Sequence, residues 1–293
     1  MKRTINILSY LSVFTFAVAN LSVAAPLPVD VRERAMEVLI AGIDSDEFWP
    51  AMHAAEGLTI AGEGALVRQR LSPLLPIETD DQHRCGLARE MVRAGDPTKS
   101  AVMIAILADP TSSGRIHAAE SLYKVGWQGD ADTYLRAVWN PDSDFVLQLV
   151  AVAALAKHGS AMDQAEALKF LRATLIQTTD QNHLRLVAWI LARVGAASDI
   201  ERIRPHLKRE LKDRPRVFLE HALARLGDES GRVALRRNLE SADASTRTYA
   251  AVFAGEAGMT EVIPQLIRQL EDPDLDARIR AAQALFELEK STL

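Results

Sequence analysis

Histidine and glutamate stand three residues apart twice near the start of this 293-residue chain, as His53/Glu56 in "HAAEGLTIAG" and His117/Glu120 in "HAAESLYKVG". Positions i and i+3 share a face of a helix, so each pair would present an imidazole and a carboxylate together. Such groups suit two chemistries. An imidazole titrating near about 6.5 passes protons at neutral pH, and His with Glu one helical turn apart can both reach a cation.

The elements that carry these pairs follow from an internal period. Apolar helical phrases end at Gly62, Gly95, Gly126, Gly159, Gly195, Gly227 and Gly258, and an eighth ends at Glu289, in steps of 33, 31, 33, 36, 32, 31 and 31 residues. So regular a spacing marks a repeat architecture. Each unit reads as a first helix such as "EVIPQLIRQL", a short turn rich in Asp, Pro or Ser, and an Ala-rich second helix such as "ARIRAAQALFEL". The closing glycine fits a left-handed helix C-cap, and an Asp, Ser or Thr before the second helix supplies an N-cap. Paired alanines let helices approach while Leu, Ile and Val fill the gaps, and no run alternates like a strand. The expectation is an all-α solenoid of eight stacked hairpins.

The ends and composition bound the setting. "MKR" is a basic start, Ile5 to Val23 is mostly apolar, and Ser22-Val23-Ala24 has the small-x-small form of a cleavage site; residues 1–24 are expected to be a signal peptide. Cleavage there leaves 269 residues and moves the formal charge from −5 to −7 by removing Lys2 and Arg3. A mildly acidic exported chain is a poor nucleic-acid ligand, and no stable membrane insertion is expected after cleavage. The location expected is periplasmic or secreted. Cys85, the single cysteine, makes no internal disulfide and no cysteine-based zinc cluster.

The phrases "PDLDARIRAAQALFELE", "ASTRTYAAVFAGEAG" and "GRIHAAESLYKVG" resemble HEAT-like repeats of the bilin-lyase type, with an Asp-bearing turn, an Arg, two residues, then Ala-Ala-x-Ala-Leu. The resemblance covers nearly all of residues 29–290 and implies a right-handed α-solenoid of about eight HEAT-like hairpins. Of function it implies little, because the architecture hosts scaffolds, inhibitors and occasional enzymes. It also implies an Asp–Arg ladder between repeats, with Arg84, Arg115, Arg216, Arg247 and Arg278 on one side and Asp80, Asp142, Asp180 or Asp276 on the other.

Aligning the repeats on their terminal residues exposes two further columns. One reads His53, Gly86, His117, Val150, Leu186, Phe218, Tyr249, Arg280; the next reads Glu56, Arg89, Glu120, Ala153, Trp189, His221, Val252, Gln283. Both are expected on an exposed inner surface. Repeats 1–3 then offer His–Gly–His above Glu–Arg–Glu, with neighbouring helices about 8–10 Å apart. Arg89 is expected between Glu56 and Glu120, and Gly86 is expected to leave a hollow flanked by His53 and His117. Trp49, Tyr123, Trp127 and Trp139 are candidate aromatic platforms, and Trp189 and His221, with His183 and Arg185 nearby, form a second polar cluster. The plain alternative is that Glu–Arg–Glu is an inter-repeat salt bridge and the aromatics are core.

Several reaction classes lose their signatures. HEAT-like deoxyhypusine hydroxylases carry iron ligands on adjacent His-Glu pairs, whereas Met52 and Ile116 precede the matching histidines here. No metal and no cofactor is expected. No Gly-x-Ser-x-Gly elbow or Gly-rich phosphate loop is present. Cys85 shares a column with Met52 and Ile116 and reads as an apolar filler. The function expected is recognition of a protein partner or an acidic oligosaccharide by repeats 1–3. The alternative is a lyase or dehydratase on an anionic oligosaccharide, with His53 or His117 as base, Glu56 and Glu120 beside them, and Arg89 holding the acid.

Overall fold

A computed structural model of the chain describes residues 26–126 and 143–290. The expected signal peptide, Trp127, Trp139 and Asp142 lie outside them. Fifteen α-helices and no strand occur among the described residues, and none of these helices is long and apolar enough to cross a membrane.

The second helices of the eight repeats are Phe48–Ile60, Asp81–Arg93, Arg115–Lys124, Phe145–His158, Gln181–Val194, Asp213–Arg225, Ala244–Glu256 and Leu275–Lys290. They pack side by side as an inner wall, and the first helices, such as Val29–Ile43, Ser100–Ala108 and Glu229–Asn238, lie outside them. The paired alanines are the reason for the tight wall: Ala54, Ala55, Ala118, Ala119, Ala250, Ala251, Ala281 and Ala282 are all fully buried. Leu58, Leu122, Leu223 and Leu285 fill the spaces between layers and are also fully buried, each contributing about 1.5–3 kcal/mol.

Local signals fix most helix ends. Asp80, Asp144, Asp180 and Asp243 accept hydrogen bonds from the first backbone N–H groups of their helices, each typically stabilising by about 1 kcal/mol. Gly62, Gly95, Gly126, Gly227 and Gly258 have φ from 62° to 98° and end their helices in the left-handed conformation. Gly159 and Gly195 depart from that expectation. Both are extended, and they are glycine because a Cβ would stand 2.6 Å from the Leu155 carbonyl and 2.5 Å from the Leu191 carbonyl.

The arginine ladder takes a different form from the one the resemblance implies. Arg115, Arg216 and Arg278 donate to the carbonyls of Leu107, Leu207 and Asp272, which end the first helix or its turn in the same repeat. Arg84 pairs with Asp81 on its own helix. Arg247 alone among the five crosses to an aspartate of the next repeat, gripping both oxygens of Asp272 at 2.7 and 2.8 Å. The inter-repeat ladder runs instead on the first helices, from Arg172 to Asp199, Arg204 to Asp228 and Arg232 to Glu261.

The two ends of the solenoid meet. Phe48–Ile60 packs against Asp81–Arg93 on one side and against Leu275–Lys290 on the other, while Val29–Ile43 also lies on Leu275–Lys290. Small residues permit this: a Cβ on Gly42 would meet Ile279 at 2.8 Å, and one on Gly57 would meet Leu39 at 2.6 Å and Gln283 at 3.4 Å. Arg32–Glu289 and Arg34–Glu271 ion pairs tie the outside of the seam. The hairpins therefore form a closed ring, with all inner helices starting at one mouth and ending at the other. The inner columns line its interior: His53, Glu56, His117 and Glu120 are half-buried, whereas Val150, Ala153, Leu186 and Phe218 are buried rather than on the exposed surface expected.

Candidate functional site

Three layers of side chains follow from the repeat register. The first, nine residues before each terminal residue, runs from His53 to Arg280; the second, six before, runs from Glu56 to Gln283. A third lies two before and reads Ile60, Arg93, Lys124, Lys157, Arg193, Arg225, Glu256, Glu287. Sequence reading passed over this layer although the same alignment contains it: five consecutive repeats carry a cation there.

In repeats 1–3, His53 Nδ1 stands 2.7 Å from Asp276 Oδ1 of the last repeat. Burial and Arg280 lower the pKa of His53, against the pull of Asp276 and Glu56, so the ring is neutral at pH 7. His117 takes a different partner, the Trp49 indole, at a centroid distance of 5.5 Å and an interplanar angle of 19°. Its pKa is also lowered, chiefly by burial. Trp49 meets His83 edge-on at 5.9 Å, and Phe48 stacks on His83 at 3.8 Å and 19°. These four rings are all partly exposed at the mouth where the inner helices begin.

The expected Gly86 hollow is occupied. A Cβ there would lie 3.0 Å from two atoms of the Phe48 ring and 3.4 Å from Met52; glycine makes room for the partly exposed Phe48 ring, which fills the expected hollow. Arg89 likewise does not bridge Glu56 and Glu120. Its Nε donates to Glu90 at 2.6 Å and one Nη lies 3.5 Å from Ser121 Oγ. The glutamates find other cations: Glu56 pairs with Arg93 at 2.9 Å and Arg280 at 3.0 Å, and Glu120 pairs with Lys124 at 2.6 Å.

Both glutamates are held ionised. Burial pushes the Glu56 carboxyl up, but Arg93 and Arg280, with Lys124 and Arg89, outweigh it and hold it well below the usual carboxylate range. Burial of Glu120 is outweighed in the same way by Lys124, Arg89 and His117, which bring it to about 2. A carboxylate so strongly paired is a poor proton donor or acceptor at neutral pH.

The other expected contacts are in the wall. Trp189 is buried, with its ring 5.3 Å from Tyr123, the Arg193 guanidinium 4.2 Å and the Lys124 ammonium 5.7 Å from its centroid. Ala153 occupies the same layer in the intervening repeat, and its small side chain lets Trp189 reach across to Tyr123. His221 is sealed from water, stacked on Phe253 at 3.8 Å and 5°. Its Nε2 lies 2.9 Å from Glu256 Oε2, off the line of a straight hydrogen bond. Trp189 and His221 therefore do not form an exposed face. Burial pushes the Cys85 thiol up to about 12, which suits the filler role.

Charge inside the ring is unequal. The three layers carry Arg89, Arg93, Lys124, Lys157, Arg193, Arg225 and Arg280 against Glu56, Glu120, Glu256 and Glu287, in a chain of net charge −5. Glu287 Oε2 is buried without a hydrogen-bond partner. Burial, with Glu256 and Glu56 nearby, pushes its carboxyl up to about 7. Among the described residues no group of three His, Cys, Asp or Glu is arranged to hold a metal ion. Two surface hollows of about 170 and 230 Å³ lie away from these layers, one beside Arg268 and Asp272, the other beside Arg216 and Arg237.

The fold and layers define the class as an all-helical protein of repeated hairpins. No family model matches the chain, and no curated protein matches it. Among solved structures it is similar to human deoxyhypusine hydroxylase in complex with glycerol, at 14% identity over 89% of this chain and 98% of that one, with a TM-score of 0.41. An engineered protein is similar at 18% identity, over 90% and 97% of the two chains, with a TM-score of 0.28. Nothing about the site follows from either likeness.

Proposed function

We propose that the chain is an exported HEAT-like repeat protein that binds an oligosaccharide at the mouth of repeats 1–3. The observation that carries this reading is the partly exposed shelf of Trp49 stacked on His117, with His83 and Phe48 against it. An indole face packs against the C–H face of a sugar. The neutral His117 imidazole offers one donor and one acceptor to hydroxyls. Acidic oligosaccharides are tested beside neutral ones, because Arg280 lies in the same layer as His53 and His117, where it is paired with Glu56. The n-region, apolar stretch and cleavage pattern of residues 1–24 support export; a secreted or periplasmic product whose N-terminus is Ala25 is the expected result.

The test is calorimetric titration of the mature protein with a panel of neutral and acidic oligosaccharides. Saturable binding that Trp49→Ala weakens about tenfold, with the melting temperature of the ligand-free protein little changed, is the expected outcome. Binding indifferent to Trp49, or none from any saccharide while a protein partner is captured at the same mouth, rejects it.

A second reading rests on one specific contact. Asp276 holds His53 through Nδ1, which leaves Nε2 as the basic nitrogen of a neutral ring, the arrangement that orients a general base. On this reading the protein removes a proton from the bound saccharide as a lyase or dehydratase. Mass spectrometry of incubated acidic oligosaccharides decides: loss of water or chain cleavage, abolished by His53→Ala and reduced by Asp276→Asn, establishes catalysis, and unchanged substrates leave binding alone.

A further inference from the structure

The basic layer at the opposite mouth, where the inner helices end, is a second place where the structure asks for a ligand. Lys157 Nζ lies 4.8 Å from the centre of the Tyr123 ring. Tyr123 is 1% exposed, and its hydroxyl has no hydrogen-bond partner. A buried hydroxyl without a partner is uncommon enough to require an explanation. Beside it, Trp189 packs on Tyr123 and carries Arg193 and Lys124 over its rings.

The cations here are not equally compensated. Arg193 is paired with Glu256 and Lys124 with Glu120, whereas no carboxylate of the described residues lies within ion-pair distance of Lys157. Burial first, then Arg193 and Arg93, lower the pKa of Lys157, and burial, with Arg89 and Arg93 opposing Glu120 and Glu56, lowers that of Lys124. Lys124, Lys157 and Arg193 thus gather round the Tyr123 and Trp189 rings, with Lys157 exposed and open to an incoming ligand. A bound anion offsets their like charge.

We propose that Lys157, Lys124 and Arg193, with the Tyr123 hydroxyl as donor, form a site for an oxyanion, the sulfate, phosphate or carboxylate head of a small ligand. Lys157 supplies the uncommitted charge and Tyr123 the uncommitted hydrogen bond. Lys124 and Arg193 set the positive field while keeping their own glutamates. The site is independent of the Trp49 shelf, which opens at the other mouth.

The experiment is titration of the mature protein with inorganic sulfate, inorganic phosphate and glucuronate, each against sodium chloride at matched ionic strength. Saturable binding is expected for at least one of them. Lys157→Gln should weaken it about tenfold, in keeping with loss of a charge-assisted hydrogen bond, and Tyr123→Phe by a smaller factor without loss of stability. Trp49→Ala should leave it intact. Preference for the inorganic anions assigns a tetrahedral head and preference for glucuronate a carboxylate, either supporting the site when Lys157→Gln removes it. No binding beyond that of chloride, or equal affinity in wild type and Lys157→Gln, overturns it.

Discussion

His53 and Asp276 lie 223 residues apart in sequence and 2.7 Å apart in space. The contact joins the first repeat to the last, and beside it Arg280 reaches Glu56 at 3.0 Å. Together they seal the inner wall at its seam. The same pair also orients an imidazole with a carboxylate near a mouth of the ring, so closure and candidate chemistry share two residues.

Closing the ring through this pair makes stability fall in acid. His53 has a lowered pKa, so its unfolded form takes up a proton first as pH drops below about 6.5. Asp276 is held below the usual carboxylate range by His53 and Arg280 against its burial; its contribution is present above about pH 4 and is lost as it protonates. Asp276→Ala is expected to cost about 1–3 kcal/mol at pH 7 and, because Asp276 raises the pKa of His53, to steepen the loss of stability below about pH 6.5. Melting curves from pH 4 to 8 check it; an unchanged profile would mean the seam does not depend on the pair.

Glu287 gives the opposite slope. Its folded-state carboxyl titrates near about 7, against 4.5 for the free group, so the folded chain binds more protons between those values. Stability then falls as pH rises from about 4.5 to 7, and the penalty is fully present above that. Glu287→Gln is expected to raise stability at pH 8 by about 1–3 kcal/mol and to do little at pH 4.5. Chemical denaturation at the two pH values measures the difference, and equal effects at both would place the carboxyl in water.

Gly86 carries a packing prediction. The Phe48 ring stands where a side chain would go, 3.0 Å from a Cβ, and Phe48 in turn stacks on His83. Gly86→Val should cost about 1–3 kcal/mol through overpacking and should perturb Trp49 fluorescence by displacing the shelf. A variant as stable as the parent, with the same spectrum, would show that an open hollow exists there after all.

Cys85 should be silent. Fully buried, with its thiol pushed up to about 12 by burial, it has almost no thiolate at neutral pH. A thiol reagent should label it only in denaturant. Rapid labelling of the native protein would contradict its placement.

Much of this molecule was written locally. The terminal glycines, the N-capping aspartates and the paired alanines recur with the period of the repeat, because each hairpin solves the same capping and packing problem. Even the layer of Arg93, Lys124, Lys157, Arg193 and Arg225 was readable, two residues before each glycine. The tertiary structure decided what those residues meet. Whether a solenoid closes depends on small angles between hairpins summed over eight repeats, so no local phrase announces that His53 will face Asp276 or that Glu56 will face Arg280. Which cation a glutamate takes is settled by side-chain reach across packed helices: Arg93 and Lys124, not Arg89, answer Glu56 and Glu120. Periodicity determined the ring's parts, and the accumulated geometry determined that they form a ring, with the charged columns inside it.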